Sequence, residues 1–319
     1  MLIVSTVKLN SEQRATLINK FPGLELVVAE DVKAHEAILA QAEVLITFSG
    51  AEITTGFLNK AKNLRWIQTF LAGVDRLPLA ELKRQGVVLS NVSGVHGMPM
   101  TEQAFAYILA FVRLLPRFSV AQRRHDWDQP SGFFAFESLS GKTLTVIGTG
   151  RIGQEVARLG QAFGMRTVGV NTSGKAPLHF QRAYPTGQIK KALSMADFAV
   201  VVVPFTAQTQ NLIGSEELAV LKPTAYLVNL ARGTVIDEQA LIKALKRQKL
   251  AGAGLDVFSQ EPLPPESPLW DLPNVIITPH IGGWSANYYD RCFELFVDNL
   301  ERYRTGQRLL TQIDLDKGY

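Results

Sequence analysis

One stretch, "KTLTVIGTGRIGQEVARLGQAFG" from Lys142 to Gly164, limits the fold more than any other. Its apolar run TLTVI reads as a strand, and three glycines spaced Gly-X-Gly-X-X-Gly follow at once. The next dozen residues put Ile152, Val156, Leu159 and Phe163 on one helical face. Strand, tight turn and helix in this order open a dinucleotide-binding βαβ unit. Gly148 permits the turn, Gly150 lets the backbone approach a pyrophosphate, and Gly153 allows the helix to pack closely on the strand. The free N–H groups at the helix start, including those of Arg151 and Ile152, then offer donors and a positive dipole end to phosphate. A glycine turn without a ligand is the bland alternative, and the surrounding pattern weighs against it.

The rest of the chain repeats the same alternation. Before this stretch come the short apolar runs LIVSTV, LELVVA, VLITF, RWIQTF and GVVLSNV, separated by polar segments of helical spacing such as Ser11 to Lys20. After it come TVGV, FAVVVVP, AYLVNL, GAGLDV and VIITPH. Near-continuous apolar runs of this kind predict parallel strands covered on both faces. A helical pattern from Thr101 to Phe118, with Thr101 as its N-cap, separates the two series, and a long helix capped by Ser285 follows the second. The expected architecture is therefore α/β, with two doubly wound parallel-sheet domains. A Rossmann nucleotide-binding domain spans 97–284, and a discontinuous, flavodoxin-like substrate domain takes 1–96 and 285–319. The cleft between two such domains is the default ligand site.

The end of the strand after the glycine turn carries a second signal. A carboxylate usually stands there to hold the adenosine ribose, but this chain has Asn171, within "VGVNTSGK". An amide does not repel a 2′-phosphate, whereas Thr172, Ser173 and Lys175 add hydroxyls and a positive charge, and Arg151 lies in the turn itself. The pattern predicts a preference for NADP(H), with NAD(H) as the alternative because lysine is a point charge and lacks the planar fork of arginine.

Three polar residues stand at the ends of successive apolar runs: Arg232 after AYLVNLA, Glu261 after GAGLDVFSQ, and His280 at the end of VIITPH. Carboxyl ends of strands in an open α/β sheet face the ligand crevice, so the three can converge. Together they suit reversible hydride transfer to a 2-keto acid. Arg232 would bind the substrate carboxylate and polarise the keto oxygen, His280 would donate the proton, and Glu261 would orient the imidazole. Each alone has a duller reading, as a surface charge, a loop histidine or part of a proline-rich turn. No cluster of His, Asp, Glu or Cys has metal-ligand spacing, so no metal site is expected.

The segments GKTLTVIGTGRIGQEVA, VNLARGTVIDEQALIKAL and GAGLDVFSQEPLPPESPLWDLPNVIITPHIGG together resemble the D-isomer-specific 2-hydroxyacid dehydrogenase family, and Asn171 resembles its glyoxylate/hydroxypyruvate reductase branch. The resemblance covers nearly the whole chain. It implies Arg232, Glu261 and His280 as the catalytic trio. It places Asp256 near the nicotinamide, and Val203, Pro204 and Thr209 of VPFTAQT, with Leu230, Ala231 and Gly282, beside the cofactor. It makes Leu71, Ala72 and Gly73 the loop whose amides receive the substrate carboxylate. A homodimer is a further expectation of the family. The related corepressors use the same fold as a redox-sensing interaction module, but the intact trio favours an enzyme.

Bulk properties agree with this reading. A chain of 319 residues with a net charge of +4 has room for two cores and no basic tail, so nucleic acid is not an expected partner. The start MLIVSTVKLN reads as a buried strand rather than a signal peptide, and no apolar run reaches the ~20 residues that span a bilayer. With Cys292 as the single cysteine, the expectation is a soluble cytoplasmic protein with no membrane partner. Trp284 reads either as a wall of the substrate pocket or as packing under the last helix, and His96 as structural. Trp127, Phe133, Phe134 and Phe136 form an aromatic-rich stretch that suits either a dimer interface or a core.

Overall fold

The computed structural model describes residues 1–30, 35–48, 50–129 and 136–318; Phe133, Phe134 and Ser49 lie outside them. The chain divides into one compact unit of Met1–Val95 with Ser285–Tyr319 and another of His96–Trp284.

The first unit holds strands β1 (Leu2–Ser5), β2 (Glu25–Val28), β3 (Val44–Thr47), β4 (Trp66–Thr69) and β5 (Val88–Ser90). They form a parallel sheet in the order β2-β1-β3-β4-β5, the flavodoxin-like order. Helices α1 (Ser11–Lys20), α2 (Glu36–Leu39), α3 (Thr55–Lys60) and α4 (Leu79–Gln85) connect the strands. Local chemistry sets their limits. The Asn10 side chain and Gln13 form a capping box at the start of α1, and α4 stops at Gly86, whose φ of +69° is left-handed. Side chains alternate across the sheet: Ile3, Val44, Ile46 and Trp66 enter one core, and Val4, Leu45 and Ile67 the other.

The second unit begins with α5 (Gly97–Val112) and α6 (Leu115–Arg123). Its sheet comprises β6 (Thr143–Ile147), β7 (Arg166–Asn171), β8 (Arg182–Pro185), β9 (Phe198–Val201), β10 (Tyr226–Asn229), β11 (Gly252–Leu255) and β12 (Val275–Ile277). All seven are parallel, in the order β12-β11-β10-β9-β6-β7-β8. Strand order reverses between β6 and β9, which makes their carboxyl ends the switch point where this architecture binds dinucleotides. Helices α7 (Arg151–Ala162) and α5 cover one face, packing on Leu144, Val146, Phe198 and Val200. Helices α8 (Ile189–Leu193), α9 (Ser215–Ala219) and α10 (Glu238–Lys246) cover the other, over Ile147, Ala199 and Val201. On β11 a Cβ at Gly254 would lie 2.5 Å from the Tyr107 ring, so the missing side chain lets α5 rest directly on the sheet. The last helix, α11 (Tyr288–Arg304), returns to the first unit, where Cys292, Phe296 and Leu300 pack with Trp66.

Three local expectations change. The 101–118 helix is two helices, with Leu114 at φ +55° between them and a bend of 68°. Pro116 explains the break, because it cannot donate to the carbonyl of Val112 and its ring clashes there. Thr101 sits inside α5, not at its cap, and its hydroxyl donates back to the Gly97 carbonyl at 2.8 Å. Ser285 likewise does not cap α11, which starts at Tyr288; its hydroxyl donates to the Asn287 side chain at 2.9 Å. Among the described residues no single helix is long and apolar enough to cross a membrane, although α5 and α6 together meet that composition as a bent pair.

Candidate active site

The glycine turn occupies the β6–α7 junction at the switch point. Gly148 has φ +103°, and a Cβ on it would press on the Val202 carbonyl oxygen at 2.8 Å, so two constraints require glycine. At Gly153 a Cβ would sit 2.0 Å from the Gly148 carbonyl oxygen, which fixes α7 against the turn. Gly150 differs, because a Cβ there would meet nothing within 4 Å. No protein atom demands its missing side chain, yet it is the N-cap of α7 and leaves the helix N–H groups without a side-chain cap. Room beside uncapped donors fits a pyrophosphate. Ile152 is half-buried behind the turn, and Arg151 is exposed at its edge.

Asn171 ends β7, and its amide is fully engaged within the chain. Its Nδ2 donates to Thr149 Oγ1 and to the Lys175 carbonyl, each at 2.9 Å. Its Oδ1 accepts from the Gly174 N–H at 2.7 Å and the Ser173 N–H at 3.1 Å. Asn171 is therefore the frame of the 172–175 loop and ties that loop to the glycine turn. Thr172, Ser173 and Lys175 remain exposed on it. At the end of β9, Thr209 staples its loop, donating to the Pro204 carbonyl and accepting from the Thr206 N–H, both at 2.8 Å. Val203 is half-buried beside Gly148 and Pro204 is exposed.

Arg232, Glu261 and His280 follow β10, β11 and β12, three adjacent strands whose carboxyl ends lie side by side. The Asn229 side chain anchors the first of these turns, accepting from the Ala231 N–H at 3.1 Å and donating to the Arg232 carbonyl at 3.2 Å. Leu230 and Ala231 are buried in it. His280 Nδ1 lies 2.7 Å from Glu261 Oε2. A carboxylate only accepts, so Nδ1 carries the proton and Nε2 is the other reactive ring nitrogen. The second Glu261 oxygen accepts from the Phe258 N–H at 3.0 Å. The His280 side chain remains 46% exposed, open to a ligand, while the Glu261 side chain is 28% exposed.

His280 has φ +55°, a left-handed backbone that costs a non-glycine residue energy and is held by its surroundings. Asp256, buried at 3% exposure, does much of the holding. Its Oδ1 accepts from the Ile281 N–H at 3.0 Å and its Oδ2 from the Gly282 N–H at 2.8 Å, while its carbonyl accepts from the His280 N–H at 2.8 Å. The Thr278 hydroxyl donates to Asp256 Oδ1 and contacts the Tyr107 hydroxyl. Burial pushes the Tyr107 phenol up to about 12, so it stays protonated as the donor of this chain. His96 is buried under the same turn, where a Cβ on Gly283 would strike its ring at 2.5 Å, and Trp284 is exposed.

Sequence reasoning singled out Asp256 but missed Asn229, Gly233, Thr278 and Tyr107. Gly233 had a readable sign, a glycine directly after the candidate arginine; Tyr107 had none, because it lies on another element. In the first unit, the turn after β4 has its carbonyls held: Thr69 donates to Leu71 O at 2.9 Å and Asn91 to Ala72 O at 2.6 Å. The amides of Leu71, Ala72 and Gly73 make no hydrogen bond among the described residues. Among the described residues no group of three or more His, Cys, Asp or Glu could hold a metal ion.

The family model for the NAD binding domain of the D-isomer specific 2-hydroxyacid dehydrogenases matches residues 105–282. A glyoxylate reductase of Pyrococcus furiosus is 35% identical over 271 residues, 83% of this chain and 80% of that protein. A D-isomer specific 2-hydroxyacid dehydrogenase family protein of Aeromonas salmonicida has a crystal structure with a TM-score of 0.85 and 36% identity, covering 99% of this chain and 98% of that one. The NADPH-dependent glyoxylate/hydroxypyruvate reductase of Sinorhizobium meliloti, in complex with NADP and sulfate, aligns with a TM-score of 0.84 at 26% identity over 100% of this chain and 99% of its own. Glycine turn, strand order and similarity agree: this chain belongs to the D-isomer specific 2-hydroxyacid dehydrogenases, oxidoreductases that use a nicotinamide dinucleotide.

Proposed function

We propose that the protein reduces a small 2-keto acid of the glyoxylate or hydroxypyruvate type to the D-2-hydroxy acid, with NADP(H) preferred over NAD(H). The observation that carries the chemistry is the 2.7 Å pair of His280 and Glu261 at the end of β12, with Arg232 two strands away. When bound, the cofactor supplies the hydride. Gly148, Gly150 and Gly153 with the start of α7 would hold its pyrophosphate, and the loops after β9, β10 and β12 its nicotinamide end. His280 donates a proton to the keto oxygen, and Glu261, accepting from Nδ1–H at 2.7 Å, keeps the ring aligned for that transfer. Arg232 offers a planar fork of donors to the substrate carboxylate and the keto oxygen. The amides of Leu71 to Gly73, which make no hydrogen bond among the described residues, are further donors suited to a carboxylate.

The cofactor preference rests on the end of β7. A carboxylate is missing there, and Asn171 spends its amide on shaping the loop, so Thr172, Ser173, Lys175 and Arg151 are what the chain offers to a 2′-phosphate. A homodimer is supported by the exposed Leu115, Val120 and Trp127 on and after α6. Rates of NADPH and NADH oxidation with a panel of short 2-keto acids test the reading. Turnover of at least one of them, faster with NADPH, is expected; a protein that binds NADPH and turns over none refutes it.

A further inference from the structure

The loop that carries Glu261 is gripped from two sides by groups that no catalytic assignment includes. Glu238, the first residue of α10, presents its carboxylate to Ser259: Oε2 accepts from the Ser259 N–H at 2.9 Å and Oε1 from its hydroxyl at 2.8 Å. On the other side Gly233 lies so close that a Cβ would fall 1.8 Å from the Phe258 carbonyl carbon and 2.3 Å from the Ser259 nitrogen. The gripped peptide is the one next to the Phe258 N–H, which itself donates to Glu261 Oε1. The Arg232 turn, the start of α10, the Ser259 peptide, Glu261 and His280 thus form one continuous mechanical unit. A first-turn glutamate serving only the helix dipole has no need of two bonds to a single residue of another loop.

We propose that Glu238 is a positioning residue: by clamping Ser259 it sets the Glu261 carboxylate at hydrogen-bond distance from His280 Nδ1. The inference rests on the role given above to the His280–Glu261 pair. It makes alignment of the proton donor, not cofactor binding, the quantity that Glu238 controls.

The test measures kcat for keto-acid reduction and the NADPH dissociation constant in Glu238→Ala, Glu238→Gln, Ser259→Ala and Glu261→Gln. Misplacing a catalytic group by a fraction of an ångström to about 1 Å costs on the order of 10-fold to 100-fold in rate. Glu238→Ala is expected to lower kcat by about 10-fold or more and leave NADPH affinity within about twofold. Glu238→Gln should recover most of the rate, because its carbonyl still accepts from the Ser259 N–H and its amide can donate to the hydroxyl. Ser259→Ala, which removes one of the two bonds and leaves the backbone intact, should lower kcat by less than Glu238→Ala and tests the clamp even if Glu238→Ala folds poorly. Unchanged kcat in both Glu238→Ala and Ser259→Ala, or a Gln variant as slow as the Ala variant, overturns the clamp. If those variants are fast and Glu261→Gln is slow, only the clamp fails; if Glu261→Gln is itself fast, the role of the pair fails, and the clamp with it.

Discussion

Two glycines of the same turn should respond to one methyl group in opposite ways. At Gly153 the added Cβ would lie 2.0 Å from the Gly148 carbonyl oxygen, well short of the 3.4 Å at which contact becomes ordinary. That oxygen cannot retreat, because the Gly148 N–H is bonded to the Val170 carbonyl at 2.9 Å and the Cα faces the Val202 carbonyl. The helix must lift by roughly 1 Å, an overpacking cost of about 1–3 kcal/mol. For a unit the size of His96–Trp284 this lowers Tm by about 3–10 °C. At Gly150 the backbone, φ −70° and ψ −164°, suits any residue and the Cβ meets no protein atom. Losing a glycine N-cap costs some tenths of a kcal/mol, and the stiffer unfolded chain offsets about as much. Gly150→Ala should therefore melt like the parent yet bind NADPH at least about tenfold more weakly, about 1.4 kcal/mol, because its methyl enters the space kept for phosphate. Scanning calorimetry and fluorescence titration of NADPH on both variants measure this. A Gly150→Ala protein with parental affinity, or a Gly153→Ala protein with parental Tm, refutes the reasoning.

Asn171→Asp keeps the acceptor for the Ser173 and Gly174 amides but gives up donation to the Lys175 carbonyl, and adds a charge that repels a 2′-phosphate. The ratio of kcat/KM for NADPH over NADH should fall by about 10-fold or more, an electrostatic cost of ~1.4 kcal/mol; an unchanged ratio removes Asn171 from cofactor choice. Burial works to raise the Asp197 carboxyl, but hydrogen bonds from Lys222 Nζ and the Thr143 N–H outweigh it and hold it below its usual value near 3.8. A folded-state value that is depressed stabilises the protein above the ordinary carboxylate range and is lost as pH falls through the folded value. Asp197→Asn should thus melt lower at pH 7, with the gap closing below about pH 3.8; a gap that persists at pH 2 contradicts this. Burial pushes the Cys292 thiol up to about 12, so it should resist iodoacetamide at pH 8 until the chain unfolds, as mass spectrometry can follow.

Much of the architecture was legible because it rests on local pattern. The apolar runs gave every strand of the first unit and all but one of the second. The exception is β8, four residues of an edge strand with Arg182 at one end and Pro185 at the other, too polar and too short for periodicity to mark. The candidate residues Arg232, Glu261 and His280 stood out in the sequence since each ends an apolar run. What supports them was not. The Tyr107–Thr278–Asp256 chain joins three elements far apart in sequence, and the clash that makes Gly233 necessary is with a peptide 25 residues on. Asn171 stood out in the sequence by the charge it lacks, but the five hydrogen bonds of its side chain to the glycine turn and its own loop depend on geometry that spacing does not carry.

The proton-donor role of His280 is the claim on which the rest depends, and one comparison tests it most directly. Steady-state reduction of glyoxylate or hydroxypyruvate by NADPH is measured in the parent and in His280→Ala, with the NADPH dissociation constant determined alongside. Loss of a general acid is expected to lower kcat by about 10²-fold to 10⁴-fold while NADPH affinity stays within about twofold. A His280→Ala enzyme that keeps its kcat, or that loses turnover and cofactor affinity in equal measure, contradicts the account.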